Sequence, residues 1–89
     1  IEAVRSVCSD MVDSAFALIR PPGHHAHCNK VGGFCFFNNV GVAARTIQKE
    51  MPEMKKIVIF DWDVHYGDGT SQIFYEDATV LYISIHRYD

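Results

Sequence analysis

Apolar positions along the 89 residues fall into groups separated by polar, proline-rich or glycine-rich stretches. Ala3, Val4, Val7, Cys8 and Met11 recur at helical spacing, so residues 2–12 are expected to form an amphipathic helix that Asp13-Ser14 breaks. Ala15-Phe16-Ala17-Leu18-Ile19 is a short apolar run closed by Arg20-Pro21-Pro22-Gly23, the pattern of a buried strand entering a stiff turn. Val40, Ala43, Ala44, Ile47 and Met51 repeat at i, i+3, i+4, i+7 and i+11, which predicts a helix over about 36–51 stopped by Pro52. Residues 57–62 predict a second strand, 71–76 one helical turn, and 79–85 a third strand.

Strand, helix, strand, short helix, strand is the βαβ signature of an α/β fold with a parallel sheet and right-handed crossovers. The first and third strands are almost wholly apolar, as expected of strands buried on both faces. Ligands of such sheets bind at the carboxyl ends of the strands. His24-His25 follows the first strand, an Asp/His cluster follows the second, and His86 follows the third. Three polar clusters at one sheet edge are the expected layout of a site.

The densest cluster is the stretch from Ile57 to Gly69, where an apolar run leads into Asp61, Asp63, His65 and Asp68. In an extended backbone side chains alternate, so Asp61, Asp63 and His65 are expected on one face. Carboxylates crowded there repel, and a bound cation would resolve the conflict. Aspartate with neutral imidazole is an oxygen and nitrogen ligand set suited to catalytic zinc. The plainer alternative is a strand end whose carboxylates cap loop amides while the histidine packs nearby.

Beside such an edge, His24 and His25 could take a proton from water and return one to a leaving amine. Each imidazole needs a carboxylate or carbonyl to fix its tautomer, and Asp61 and Asp68 are the available carboxylates. His27 and Cys28 could make His-His-x-His-Cys a metal knuckle, although the spacing is cramped for one tetrahedral ion. Gly32-Gly33-Phe34 permits close backbone approach beside an aromatic wall, or is a plain turn with Phe34 in the core.

Composition narrows the class. An apolar fraction of 48% with a net charge of -3 describes an ordinary globular chain. No basic run points to direct nucleic-acid or membrane-surface contact. No apolar stretch approaches the ~20 residues of a membrane span, and no signal-peptide pattern opens the chain. Cys8, Cys28 and Cys35 are odd in number and lack C-x-x-C spacing, which suits reduced thiols in the cytosol or nucleus. The chain starts on Ile1 and stops at Asp89 directly after a strand-like run, so it reads as a piece of something larger.

Four motifs together carry a family resemblance. Arg20-Pro21-Pro22-Gly23-His24-His25-Ala26, Gly33-Phe34-Cys35-Phe36-Phe37-Asn38-Asn39, Asp61-Trp62-Asp63-Val64-His65 and Ser84-Ile85-His86-Arg87-Tyr88-Asp89 resemble the zinc-dependent histone deacetylases. The first and last look like the class II branch. The resemblance covers residues 14–89 best, and residues 1–89 as a whole would form part of a catalytic domain. It implies a parallel-sheet portion of a three-layer arginase/deacetylase-type fold and zinc-dependent hydrolysis of acetyl-lysine amides on histones or other proteins. By the resemblance, Asp63 and His65 look like two of three zinc ligands. His24 and His25 look like the proton-transfer pair, with Asp61 behind the first and Asp68 behind the second. Gly33 and Phe34 would line the acetyl-lysine tunnel. Asp61, Asp63, His65, Ser84 and Ile85 match ligands of a structural potassium ion in the family, Ile85 through its carbonyl. The implied partners are an acetylated histone tail or cytosolic protein and a corepressor complex, in the nucleus or cytoplasm.

Departures are local. In the family the third zinc ligand, an aspartate, and the tyrosine or histidine facing the oxyanion lie beyond the position of Asp89. Tyr66 stands where a second histidine is usual, and His27 where class II often has an acidic residue. The 89 residues alone are therefore expected to be inactive. The alternative reading is a non-catalytic remnant or binding module that keeps the edge of the fold.

Overall fold

The computed structural model describes residues 1–88; Asp89, the end of the last family motif, lies outside the described residues. Helix α1 spans Glu2–Cys8, α2 Asn39–Glu50, strand β1 Ile57–Asp61, α3 Asp68–Phe74 and β2 Val80–Ser84. The two strands pair in parallel, from Ile57 opposite Val80 to Asp61 opposite Ser84. Helix α3 lies between them in sequence, so β1-α3-β2 is the βαβ unit that the apolar pattern predicts. Ala44 of α2, Ile59, Phe74 of α3 and Val80 form the buried cluster, with Ile57, Ile73 and Tyr82 packed against it.

Several predicted boundaries move, each for a local reason. Helix α1 stops at Cys8 rather than Val12 because Asp10 turns left-handed, with φ of 57°. Asp10 N–H donates to Val7 O and Met11 N–H to Ser6 O, the paired bonds of a Schellman ending. Helix α2 starts at Asn39 rather than Phe36 because the Asn38 side chain caps it, accepting Gly41 N–H at 2.9 Å. Its buried face is Gly41, Ala44 and Ile47, while Val40 is exposed. Helix α3 begins at Asp68, three residues earlier than predicted.

Two expectations about strands fail. Residues 15–19 form no strand: no described segment pairs with them in a ladder, and an apolar run supplies side chains but not a hydrogen-bonding partner. Among the described residues, strands β1 and β2 are covered on one face only. Val58, Phe60, Leu81 and Ile83 are exposed, while Ile59 and Val80 are buried. Alternation thus operates as in a half-covered sheet, with the helices contributing to one side.

What fixes the 23–26 loop against this frame is a buried polar knot. Asn38 Nδ2 donates to Ala26 O at 3.1 Å and to Thr70 Oγ1 at 2.9 Å, and Thr70 N–H donates to His24 O at 3.1 Å. Asn38 and Thr70 are both buried. The knot joins the start of α2, the first turn of α3 and the histidine loop. Removing it should therefore be expensive. Asn38→Ala should lower stability by about 2–4 kcal/mol, combining a lost helix cap of about 1 kcal/mol with buried acceptors left unpaired at about 1–3 kcal/mol. Asn38→Asp, which keeps the cap but not the donors, should fall between. Urea unfolding of the complete protein checks both, and equal losses in the two variants would refute this division.

Candidate active site

The carboxyl edge of the parallel pair gathers three loops. His24 projects from the first and donates from Nδ1–H to Asp61 Oδ2 at 2.8 Å. The same oxygen accepts the Tyr82 hydroxyl at 2.8 Å, and Asp61 Oδ1 accepts Asp63 N–H at 3.1 Å. His25 donates from Nδ1–H to Asp68 Oδ1 at 2.7 Å. The two imidazole centroids lie 4.2 Å apart. With each Nδ1 proton committed to a carboxylate, a neutral ring keeps its lone pair on Nε2, which is the atom free to accept a proton.

Asp63 and His65 do not share an extended strand face, as the alternation predicts, because β1 ends at Asp61. A side-chain turn brings them together instead. Asp63 Oδ2 accepts His65 N–H at 2.7 Å and lies 3.0 Å from His65 Nδ1. His24 Nε2 is 3.7 Å from the same oxygen. Two ligands on one tetrahedral zinc ion sit about 3.3 Å apart for bonds of about 2.0–2.1 Å, so the Asp63 and His65 donors fit two positions of such a site. Among the described residues no group of three or more His, Cys, Asp or Glu is arranged to hold a metal ion. The Cys28 knuckle is not assembled: His27 turns to Asp68, and Cys28 is an exposed free thiol.

Gly33 and Phe34 occupy the centre of a tight turn between Gly32 and Cys35, with φ of 50° and 65°. A Cβ on Gly33 would meet His25 Cδ2 at 2.3 Å, so the absent side chain is what lets the turn lie against the imidazole. Phe34 is 89% exposed rather than in the core. Gly67 plays the same part beside the other histidine. A Cβ there would lie 2.5 Å from Asp61 Oδ2 and 2.9 Å from His24 Nδ1. Ser84 pairs in register with Asp61, and Ile85 N–H donates to Asp61 O at 3.0 Å, so both sit at this edge. Ser84 Oγ lies 2.7 Å from His86 Nδ1, whose ring is 4.9 Å from that of Tyr66.

Electrostatics follow from these contacts. Burial pushes the Asp61 carboxyl up, but hydrogen bonds from His24, Tyr82 and Asp63 N–H outweigh it and leave it below its usual range. Asp63 is lowered chiefly by the His65 N–H bond. Burial, helped by Asp61, raises the Tyr82 phenol, so Tyr82 is a proton donor to that carboxylate and not an anion.

All of residues 1–89 match the family described as the histone deacetylase domain. The chain belongs to that family. It is 51% identical over 90 residues to histone deacetylase clr3 of Schizosaccharomyces pombe, a match covering 100% of this chain and 13% of that protein. Histone deacetylase HDA1 of Saccharomyces cerevisiae is 50% identical over the same shares. Histone deacetylase 6 of Caenorhabditis elegans is 55% identical over 76 residues, 85% of this chain and 8% of that protein. The crystal structure of the HDA15 HD domain superposes with a TM-score of 0.92 at 46% identity, over 98% of this chain and 25% of that one. The α/β deacetylase fold is thereby established. The chain spans 13% or less of these curated relatives.

Within this deacetylase edge, two groups escaped the sequence reading. Tyr82 sits in an apolar strand and gave no sign of reaching Asp61. His27 Nε2–H donates to Asp68 Oδ2 at 2.7 Å, so one carboxylate serves two imidazoles; the only hint was that Asp68 has two oxygens to offer. Burial pushes Asp68 up, yet the bonds from His25 and His27 prevail and hold it at about 2, against an ordinary 3.8. A depressed carboxyl adds stability above its unfolded pKa and loses it as pH falls through the folded value. Asp68→Asn should therefore flatten the loss of stability between pH 3.8 and about 2. Acid titration of the melting temperature checks this, and parallel curves for both proteins would refute it.

Proposed function

We propose that residues 1–89 form part of a class II-like histone deacetylase catalytic domain that hydrolyses acetyl-lysine amides on a histone tail or a cytosolic protein. The observation that carries this reading is the pair of imidazoles, His24 and His25, each tied by Nδ1 to its own carboxylate beside the Asp63 and His65 donors. The Arg20-Pro21-Pro22-Gly23 and His86-Arg87-Tyr88-Asp89 motifs support the class II assignment. Asp63 and His65 would hold zinc, with a third ligand from elsewhere in the complete protein. A zinc ion bound there would supply Lewis acidity toward an amide carbonyl and a water molecule.

The chain's own residues supply proton handling. With Nδ1–H fixed on Asp61 or Asp68, Nε2 of either histidine can accept a proton from the attacking water and deliver one to the departing lysine amine. The anionic carboxylates stabilise the imidazolium formed in between and hold ring orientation. Gly33 keeps the turn close to His25, and exposed Phe34 offers an apolar wall for an acyl-lysine stem. Asp61, Asp63, His65, Ser84 and Ile85 would hold a potassium ion; the register that sets Asp61 beside Ser84, with Ile85 N–H on Asp61 O, supports this.

A corepressor complex in the nucleus, or an acetylated partner in the cytoplasm, fits the same reading. Direct nucleic-acid binding is not part of it, given a net charge of -3 and no basic run. No helix among the described residues is long and apolar enough to cross a membrane.

The test compares two classes of variant in the complete protein. Asp63→Ala and His65→Ala should lose zinc by metal analysis. His24→Ala and His25→Ala should keep zinc while acetyl-lysine hydrolysis falls by about a hundredfold or more. Zinc retained in His65→Ala but lost in His25→Ala would overturn the ligand assignment. Residues 1–89 alone should bind zinc weakly and show no turnover. A complete protein with zinc but no hydrolysis would favour the binding-module alternative.

A further inference from the structure

His27 has no part in the proton-transfer scheme, yet it is the more buried partner of Asp68, with its side chain 12% exposed against 45% for the carboxylate. Its Nε2–H donates to Asp68 Oδ2 at 2.7 Å, and its Nδ1 lies 3.2 Å from Gln72 Oε1, one turn further along α3. Its main chain is fixed as well, because His27 N–H donates to Lys30 O at 3.0 Å. Asp68 is the first residue of α3, so its backbone is set while its half-exposed side chain has other rotamers open toward solvent. Two oxygens gripped by two imidazoles allow only one.

We propose that His27 is a positioning residue: it pins the outer oxygen of Asp68, anchored in turn by Gln72, so that the inner oxygen stays aligned on His25 Nδ1. The chain of contacts is Gln72, His27, Asp68, His25, and each link is a hydrogen bond of 2.7 to 3.2 Å. His27 supplies the donor that fixes the carboxylate, and its ring bridges the histidine loop to Asp68 and Gln72 of α3. Either protonation state of His27 can serve, because a side-chain amide can donate to Nδ1 or accept from it. The catalytic meaning of this device rests on the deacetylase reading above, but the alignment of His25 does not.

Histidine-selective 15N spectra of the complete protein test the alignment directly. A His25 Nδ1–H held on a carboxylate exchanges slowly with water and gives its own signal. His27→Phe keeps the ring shape without the donor, and should abolish that signal through faster exchange. It should also lower kcat about tenfold with KM unchanged, the lower range for loss of a supporting hydrogen bond. His27→Gln places an N–H near the position of Nε2 and should restore both. If His27→Phe does not fold, Gln72→Met carries the test, with the same change in smaller measure. A protected His25 signal and full kcat in His27→Phe would overturn the proposal, as would equal losses in His27→Phe and His27→Gln. Loss of the signal in a protein that shows no acetyl-lysine turnover would uphold the positioning role and remove the deacetylase reading instead.

Discussion

The Asp61 carboxylate accepts hydrogen bonds from three segments at once: the His24 imidazole, the Tyr82 hydroxyl of β2 and the main-chain N–H of Asp63. One side chain at the end of β1 therefore ties the histidine loop, the neighbouring strand and the turn that carries Asp63 and His65. Partial burial works against a charged carboxylate, and three donors offset it. Because a neutral carboxyl would accept fewer bonds, the geometry of the edge and the ionisation of Asp61 depend on each other. Gly67 is part of the same constraint, since any side chain there would occupy the space where Tyr82, Asp61 and His24 meet.

The rest of the edge is held from behind by main-chain contacts. Thr70 N–H fixes His24 O, and Asn38 fixes Ala26 O, so the loop bearing both histidines is fastened to α3 and to the start of α2. The apolar cluster beneath is small, and Val58, Phe60, Leu81 and Ile83 leave the other face of the sheet exposed. Within these residues, directional polar bonds aim each imidazole at its carboxylate. That suits chemistry needing imidazoles within a few tenths of an ångström of their carboxylates.

Much of this was legible in the sequence, and the failures have definite causes. The i, i+3, i+4 pattern found α2, and the β-branched runs found β1 and β2 in parallel order. The apolar run at 15–19 misled because strand formation needs a partner that composition does not reveal. Strand alternation placed Asp63 and His65 near each other for the wrong reason: a turn closed by the Asp63 side chain does what an extended backbone was expected to do. The pairing of His24 with Asp61 and of His25 with Asp68 followed from the family resemblance, and the geometry contains both contacts. The second imidazole on Asp68 was out of reach, since residues 41 apart meet only through the fold.

Anomalous scattering at the zinc edge from crystals of the complete protein shows which residues of this edge hold the metal. One peak is expected, bonded to an Asp63 oxygen and to His65 Nδ1, with His24 and His25 turned toward it through Nε2 but not ligating. A peak held by His25, His27 or Cys28, or none in a protein that hydrolyses acetyl-lysine, would contradict this assignment.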